Sequence, residues 1–289
     1  MDGLLSALVA GLSAGGAYAI LGVCAVFTFR LVAVVDFTGA SMGAAGAFAM
    51  AALYSRGLPL PLAVVAGITI GALAGVAIGL VMTRWFANAT ASVKAAVTAS
   101  VLVGVISVGL RLTGGQHPHF FPELFPGSAF RLAGVEVTWG SVATILIALI
   151  FTILTEQFLQ RTKTGLELRA LSIRPLAAEL IGIRVRLLAL GVWAVTGAFT
   201  AFALMMVSPL RSPNFSSLSL LVVPAFAAAL VGAFQSFRAA LAGGILIGLI
   251  EGAVSAIGFV SQFRSAVPFL IILVVLLWSQ RGAQWDDAR

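Results

Sequence analysis

Charged residues are scarce in this 289-residue sequence, in which Asp, Glu, Lys and Arg together make up only 9%. A water-soluble domain usually carries about 25% charged residues. Hydrophobic residues make up 61% of the chain. This composition excludes a soluble enzyme, a disordered protein and a nucleic-acid-binding protein. The net charge of +7 therefore indicates basic loops beside a membrane rather than a nucleic-acid partner.

Cysteine and histidine are nearly absent. Cys24 is the single cysteine, and His117 and His119 are the two histidines, which excludes an intramolecular disulfide and a cysteine- or histidine-rich metal site. The nucleotide-binding pattern GxxxxGK[ST] is missing, because neither Lys94 nor Lys163 follows a glycine. We predict that the chain has no catalytic residue, metal site or bound cofactor, and that any use of ATP involves another polypeptide.

Long apolar runs fill most of the chain, and most approach the roughly 20 residues that cross a bilayer as a helix. They predict an all-α, polytopic transmembrane bundle of about 8–10 spans in a single domain, residues 1–289. The run 212–237 is interrupted by Pro213 and Pro224, and Pro224 could split it into two half-helices or a re-entrant segment. The nine runs are 3–29, 31–55, 57–83, 95–110, 137–155, 187–210, 212–237, 239–263 and 265–280.

Basic residues predict the orientation of the bundle, because they concentrate in cytoplasmic loops. The basic segment, residues 160–186, contains six Lys and Arg and is assigned to the cytoplasm. Counting through nine spans then places twelve of the 17 basic residues inside and five outside. This arrangement predicts an external N-terminus, a cytoplasmic C-terminus and an external loop at 113–138. The start of the chain lacks a basic stretch, so we expect the first run to be a retained span.

Two carboxylates fall within apolar runs, where a charge is costly unless it is solvated or paired. Asp36 precedes Gly39, Gly43 and Gly46, so it marks either a helix break that faces a polar cavity or the N-cap of a helix near the interface. Glu251 lies in the middle of a later run. It is either a functional residue or a buried partner of a basic or hydroxyl group.

Glycines at four-residue spacing predict close helix packing, because small residues let helix backbones approach each other in lipid. The pattern fits either packing within one subunit or an interface between subunits. It occurs at Gly71, Gly75 and Gly79, and again at Gly244, Gly248 and Gly252.

The basic segment also contains a predicted short helix. Pro175 suits its first turn and Gly182 its end. Leu176, Leu180 and Ile181 would share one face of this helix. Such a helix can lie on a membrane or insert into a groove of another protein, and spacing alone does not separate these alternatives.

The basic segment resembles the coupling segment of the permeases of branched-chain amino-acid ABC importers. The family pattern is T-x-x-G-x-x-x-R-A, followed by x-x-P-x-A-A-x-x-x-G-I. Residues 34–39 are similar to the family's V-x-[ND]-F-x-x-G stretch with the glycine shifted by one, and residues 239–251 to its P-G-A-x-x-G-G-x-x-x-G-x-x-E stretch. The positions that match the coupling pattern are Thr162, Gly165, Arg169, Ala170, Pro175, Ala177, Ala178, Gly182 and Ile183.

The resemblance implies an inner-membrane permease subunit that moves a small solute, a branched-chain amino acid or a related compound, delivered by an external binding protein. It implies a second permease subunit, homologous or identical, and two cytoplasmic ATPase subunits that carry ATP–Mg. The implied substrate-pathway residues are Asp36, Phe37, Thr38, Gly39, Ser41 and Glu251. The implied ATPase-coupling residues are Thr164, Gly165, Arg169, Ala170, Pro175, Ala177, Ala178, Leu180 and Gly182.

A different class of transporter is the alternative hypothesis. Two carboxylates within spans are typical of a stand-alone proton- or ion-coupled carrier, which would use Asp36 and Glu251. Such a carrier would leave the coupling-like segment without a purpose. A membrane enzyme ranks last, because the spans contain no metal-ligand set and no nucleophile–base pair.

Overall fold

The computed structural model describes residues 2–117, 119–132, 135–173, 175–210 and 213–286. Helices make up most of this part of the chain, and one short β-hairpin lies between α4 and α5. The helices are α1 (Asp2–Val32), α2 (Gly39–Ser55), α3 (Leu60–Trp85), α4 (Ala91–Leu112), α5 (Trp139–Arg161), α6 (Lys163–Ile173), α7 (Pro175–Leu180), α8 (Val185–Val207), α9 (Phe215–Ser219), α10 (Val222–Val231), α11 (Phe237–Ser255) and α12 (Val267–Asp286). The strands are β1 (Ser128–Leu132) and β2 (Val135–Thr138).

Seven helical segments of the described chain are long and apolar enough to cross a membrane. They correspond to seven of the nine predicted runs, so the all-α polytopic fold is confirmed. The other two runs form shorter elements. In the run 31–55, residues 33–38 are not helical, and α2 has only 17 residues. The run 212–237 is split into α9 and α10 at Leu220 and Leu221, and Pro224 lies in the first turn of α10.

Glycine contacts join α1 to α11 at very short range. A β-carbon at Gly248 would collide with the backbone of Gly11 and Gly15, and one at Gly244 with the backbone of Ala19. The helices can approach this closely only because both faces lack side chains. The predicted glycine spacing in α11 therefore packs within one subunit.

The glycines of α3 serve the same purpose against α8. A β-carbon at Gly75 would meet the carbonyl oxygen of Trp193, and one at Gly71 would meet that of Gly197. Gly79 receives the side chain of Trp193. The two helices α3 and α8 therefore form a second close pair within the chain, and α2 packs against both of them.

A small antiparallel hairpin interrupts the helical pattern inside the predicted external loop, residues 113–138. Strands β1 and β2 pair through Phe130 with Val137 and through Arg131 with Glu136. The Arg131 Nε donates to a Glu136 carboxylate oxygen at 3.0 Å. The sequence does not predict this hairpin, because its two strands have only five and four residues, too few for a clear periodic pattern.

Candidate functional site

The chain is not helical between α1 and α2, and this break forms the first candidate site. Ala33 has a φ of 52°, a left-handed conformation that ends α1 and reverses the chain. Extended backbone in a membrane needs partners for its polar groups. Thr98 of α4 supplies two of them: its hydroxyl donates to the Val35 carbonyl at 2.9 Å and lies 3.4 Å from the Phe37 amide nitrogen.

Asp36 lies at the centre of this break, and only 4% of it is exposed. One carboxylate oxygen, Oδ1, accepts from the backbone amide of Thr38 at 2.8 Å and from the Thr38 hydroxyl. The other, Oδ2, has no hydrogen-bond partner among the described residues. A β-carbon placed on Gly39 would lie 3.5 Å from this oxygen. Half of the carboxylate therefore fixes the turn into α2, and the other half is unsatisfied.

A small internal cavity adjoins the carboxylate. Its volume is about 10 Å³, near the lower limit for one water molecule. Hydroxyl groups of α8 and apolar side chains of α1 and α10 complete its wall. The lining residues are Leu21, Cys24, Ala25, Asp36, Gly39, Ala40, Thr196, Thr200, Val222, Ala225 and Phe226. The break at Asp36 therefore adjoins a small cavity whose lining is mostly apolar, with Thr196 and Thr200 of α8 as its hydroxyl-bearing residues. Asp36 is not the N-cap residue, which is Thr38, and its part in the pathway stays a prediction.

Helix α10, which follows the split in the run 212–237, packs against the break between α1 and α2. The Phe37 ring packs edge-on against Phe226 of α10, with ring centroids 4.8 Å apart. Phe226 also contacts Phe234 just beyond α10. Ser41 completes the turn by donating to the Thr38 carbonyl at 2.8 Å. The predicted pathway residues 36–39 and 41 thus lie together at the break between α1 and α2, and the Phe37 ring places this break against α10.

Glu251 lies in a different environment. It is buried in the α1–α11 contact, where the Tyr18 hydroxyl donates to its Oε2 at 2.8 Å. Glu251 does not line the cavity at Asp36. Of the two sequence interpretations, the structure favours a buried carboxylate with a hydroxyl partner, although its part in transport stays a prediction.

Tyr18→Phe tests the stabilising contribution of this bond. We expect the free energy of unfolding to fall by about 1–3 kcal/mol, because a buried acceptor loses its donor. The measurement is the thermal unfolding midpoint of the purified protein in detergent. Tyr54→Phe is the matched control, because Tyr54 is the other tyrosine of the chain and is 39% exposed. Equal midpoints for the two variants would contradict the assignment.

The basic segment forms two helices, and α6 explains the first part of its motif. The Thr162 hydroxyl accepts from the Gly165 amide at 2.9 Å and so caps the first turn of α6. A β-carbon at Gly165 would collide with the backbone of Phe158 and Leu159 in α5. The T-x-x-G spacing therefore allows α6 to fold back tightly on α5. Helix α6 is not predicted from the sequence, because its mixed charges leave no apolar period.

Helix α7 matches the predicted short helix of the basic segment. It begins at Pro175, and Gly182 follows it with a φ of 87°. The Ile183 amide donates to the Ala178 carbonyl at 3.1 Å and the Gly182 amide to the Glu179 carbonyl at 3.0 Å, the Schellman pattern of a glycine-terminated helix. Ala178 is buried, whereas Leu180 and Ile181 are 88% and 75% exposed. The helix therefore carries an apolar tip that its own chain leaves uncovered.

The other predicted coupling residues lie around α6. Thr164 is exposed, Ala170 is half-buried and Ala177 is exposed. Arg169 lines a cavity of about 240 Å³ with Arg30 and Glu156, near the end of α1. Glu156 also accepts from the Arg238 Nε at 2.9 Å. The structure thus brings the coupling residues to the same end of the bundle, although it does not test their role.

The chain matches a family model over residues 7–276, and that family is described as the permease component of the branched-chain amino acid transport system. The chain belongs to this family. It is therefore a multi-pass membrane transport subunit of the ABC importer permease type, which works with ATPase and binding-protein partners.

Two curated relatives carry corresponding names. The probable branched-chain amino acid transport permease LivH of Methanocaldococcus jannaschii is 26% identical over 80% of this chain and 76% of its own length. The high-affinity branched-chain amino acid permease BraD of Pseudomonas aeruginosa is 24% identical over 96% of this chain and 94% of its own. A solved structure, PsaBC from Streptococcus pneumoniae in complex with Fab, aligns with 96% of this chain and 91% of that chain, with a TM-score of 0.49 and 15% identity.

Several residues of the site escape sequence analysis. Thr98, Thr196 and Thr200 surround the break at Asp36, and Tyr18 holds Glu251. A threonine inside an apolar helix commonly bonds its own helix, so nothing in the sequence distinguishes these from the others. Among the described residues, no group of three or more His, Cys, Asp or Glu is placed to hold a metal ion.

Proposed function

We propose that this chain imports a branched-chain amino acid or a related small solute across the bacterial plasma (inner) membrane. It would act with a second permease subunit, homologous or identical, and with an extracytoplasmic solute-binding protein that delivers the substrate. Two cytoplasmic ATPase subunits would carry the ATP–Mg, and the chain itself would bind no cofactor. The names of LivH and BraD support the class of solute.

The exposed tip of α7 is the observation that carries the ATPase partnership. Leu180 and Ile181 extend from a helix of six residues inside a segment rich in cations. An apolar helix tip of this kind fits a groove in a partner protein. Helix α6 ties α7 to α5 through the close contact of Gly165, so force on α7 is transmitted to a membrane helix.

The positions of the loops support the proposed orientation. Segment 123–125, in the predicted external loop, lines a cavity with Ser13 of α1 and Met206 of α8. Leu171 of α6 and Glu179 of α7 line a different cavity, with Leu31 of α1 and Ala189 of α8. The loop and the basic segment therefore lie at opposite ends of α1 and α8. The proposed topology places the first end outside and the second in the cytoplasm.

The mechanism that fits this arrangement is a two-state movement of the interrupted elements. ATPase closure would displace α6 and α7, and the break between α1 and α2 would shift against α10. The unsatisfied Oδ2 of Asp36 and the ring of Phe37 lie where the break between α1 and α2 meets α10. Such a break can exchange one set of backbone partners for another, because Thr98 holds it by only two hydrogen-bond contacts.

Leu180→Glu tests the proposed coupling. We expect the affinity for the ATPase subunits to fall by at least about tenfold, because burial of one leucine contributes about 1.5–3 kcal/mol and a carboxylate has no counterpart in an apolar groove. The measurement is the amount of ATPase that co-purifies with the tagged permease in mild detergent.

Phe120→Glu is the control, since Phe120 is an 82% exposed apolar residue in the predicted external loop. It should retain the ATPase at the wild-type level. Full retention by the Leu180 variant would show that α7 does not dock the ATPase. Purification of a wild-type permease that is stable and alone would instead favour a carrier that works without ATP.

A further inference from the structure

A cavity with both polar and apolar walls lies between the basic segment and the membrane helices, and it is much larger than the one at Asp36. Its volume is about 500 Å³, within the range of about 300–1,000 Å³ that is usual for small-molecule sites. Its wall is formed by the end of α1, the connection from α3 to α4, the helices α6 and α7, and the start of α8. Neither the proposed pathway at Asp36 nor the docking tip of α7 uses this space.

One side of the cavity is apolar and rigid. Val34, Met82 and Trp193 are buried in a common hydrophobic cluster, and all three also line the cavity. Trp193 is fixed by the close contact with Gly79. These residues form a preformed surface for an apolar group, which is the usual main component of a ligand site.

The polar side of the cavity carries positive charge. Lys94 is half-buried, and Arg186 lies on the same wall with Asn88. In the described part of the chain neither cation is within ion-pair distance of a carboxylate, and the two ion pairs there join Arg131 to Glu136 and Arg238 to Glu156. Glu179 of α7 also lines the cavity. An acidic group on a ligand would give Lys94 a counter-charge at ion-pair distance, which no carboxylate among the described residues provides.

We propose that this cavity binds an amphipathic anion. Its acidic group contacts the Lys94 ammonium, and its apolar part lies on Val34 and Met82. Because α6 and α7 form one wall, the bound anion links the coupling helices to α3, α4 and α8 and so controls their movement. That consequence rests on the proposed ATPase coupling, whereas the binding site does not. The anion is supplied either by an acidic phospholipid or by a carboxylate-bearing solute.

Equilibrium binding to the purified permease complex in detergent tests the site. The probes are radiolabelled dioctanoyl phosphatidylglycerol and radiolabelled octanoate, with dioctanoyl phosphatidylcholine, whose headgroup is a net-neutral zwitterion, as the control. We expect saturable binding of one anionic probe. Lys94→Gln should weaken it by about tenfold or more, and Arg186→Gln, which removes the other cation of the lining, by about threefold.

Arg84→Gln is the matched control. Arg84 lies in the last turn of α3, next to the residues of α3 that line the cavity, but it does not line the cavity itself. It should bind like the wild type. Binding of phosphatidylglycerol alone identifies the lipid as the source, and binding of octanoate alone identifies a carboxylate-bearing solute. Absence of binding for both probes, equal binding of phosphatidylcholine, or wild-type affinity in both cavity variants overturns the proposal. None of these results depends on uptake or on ATPase retention, so failure of the proposed function would be seen separately.

Discussion

Gly248→Ala is expected to prevent the chain from folding to a stable permease. The added methyl group would collide with backbone atoms of both Gly11 and Gly15, which cannot rotate away as a side chain can. Overpacking of a well-packed interior costs about 1–3 kcal/mol when side chains can adjust, and a clash between two helix backbones exceeds about 3 kcal/mol. The measurement is the fraction of monodisperse protein after detergent extraction, together with its thermal unfolding midpoint.

Gly191→Ala provides the matched control for this substitution. Gly191 lies in α8, and no atom outside its immediate helix neighbourhood is within 4 Å of the position that its β-carbon would take. We expect the variant to behave as the wild type or to be slightly more stable, because alanine is the better helix former. A stable Gly248→Ala protein would show that α1 and α11 are not in backbone contact.

The two glycine variants also show what sequence could predict about the fold. Four-residue glycine spacing indicates that a helix has a close neighbour, and the structure confirms this for both glycine series. The spacing does not say which neighbour, because all seven membrane-length helices of the described chain are apolar and several carry small residues. The pairing of Gly248 with Gly15 joins positions more than 200 residues apart and depends on the complete bundle.

The candidate site at Asp36 was also predictable only in part from the sequence. An acidic residue followed by glycines indicates an interrupted helix, and the break at Asp36 lies where that pattern places it. The hydroxyl groups that complete it could not be foreseen. Thr98 is distant in sequence and resembles the other threonines of the spans, which bond to their own helices. Helix α6 was missed for the opposite reason, since its charges hide the face formed by Gly165, Leu168 and Leu171.

Asp36→Asn is expected to abolish most transport while the permease still assembles. Asparagine keeps a side-chain oxygen that can accept from the Thr38 amide, so the turn into α2 is preserved. The negative charge on the unsatisfied oxygen is lost. A hydrogen bond to a charged group contributes about 1.5–3 kcal/mol, so its loss from a transport intermediate slows uptake by about ten- to a hundredfold.

The measurement is uptake of radiolabelled leucine into cells or proteoliposomes that contain the complete importer, normalised to the assembled complex. Thr38→Ser is the control, because serine keeps both the amide and the hydroxyl that donate to Asp36 Oδ1. Asp36→Ala separates structure from charge: it removes the turn contacts as well, so we expect a lower yield of folded complex in addition to lost uptake. Normal uptake by Asp36→Asn would mean that the carboxylate acts only through the Thr38 turn, and the break between α1 and α2 would then be a structural element rather than part of the pathway.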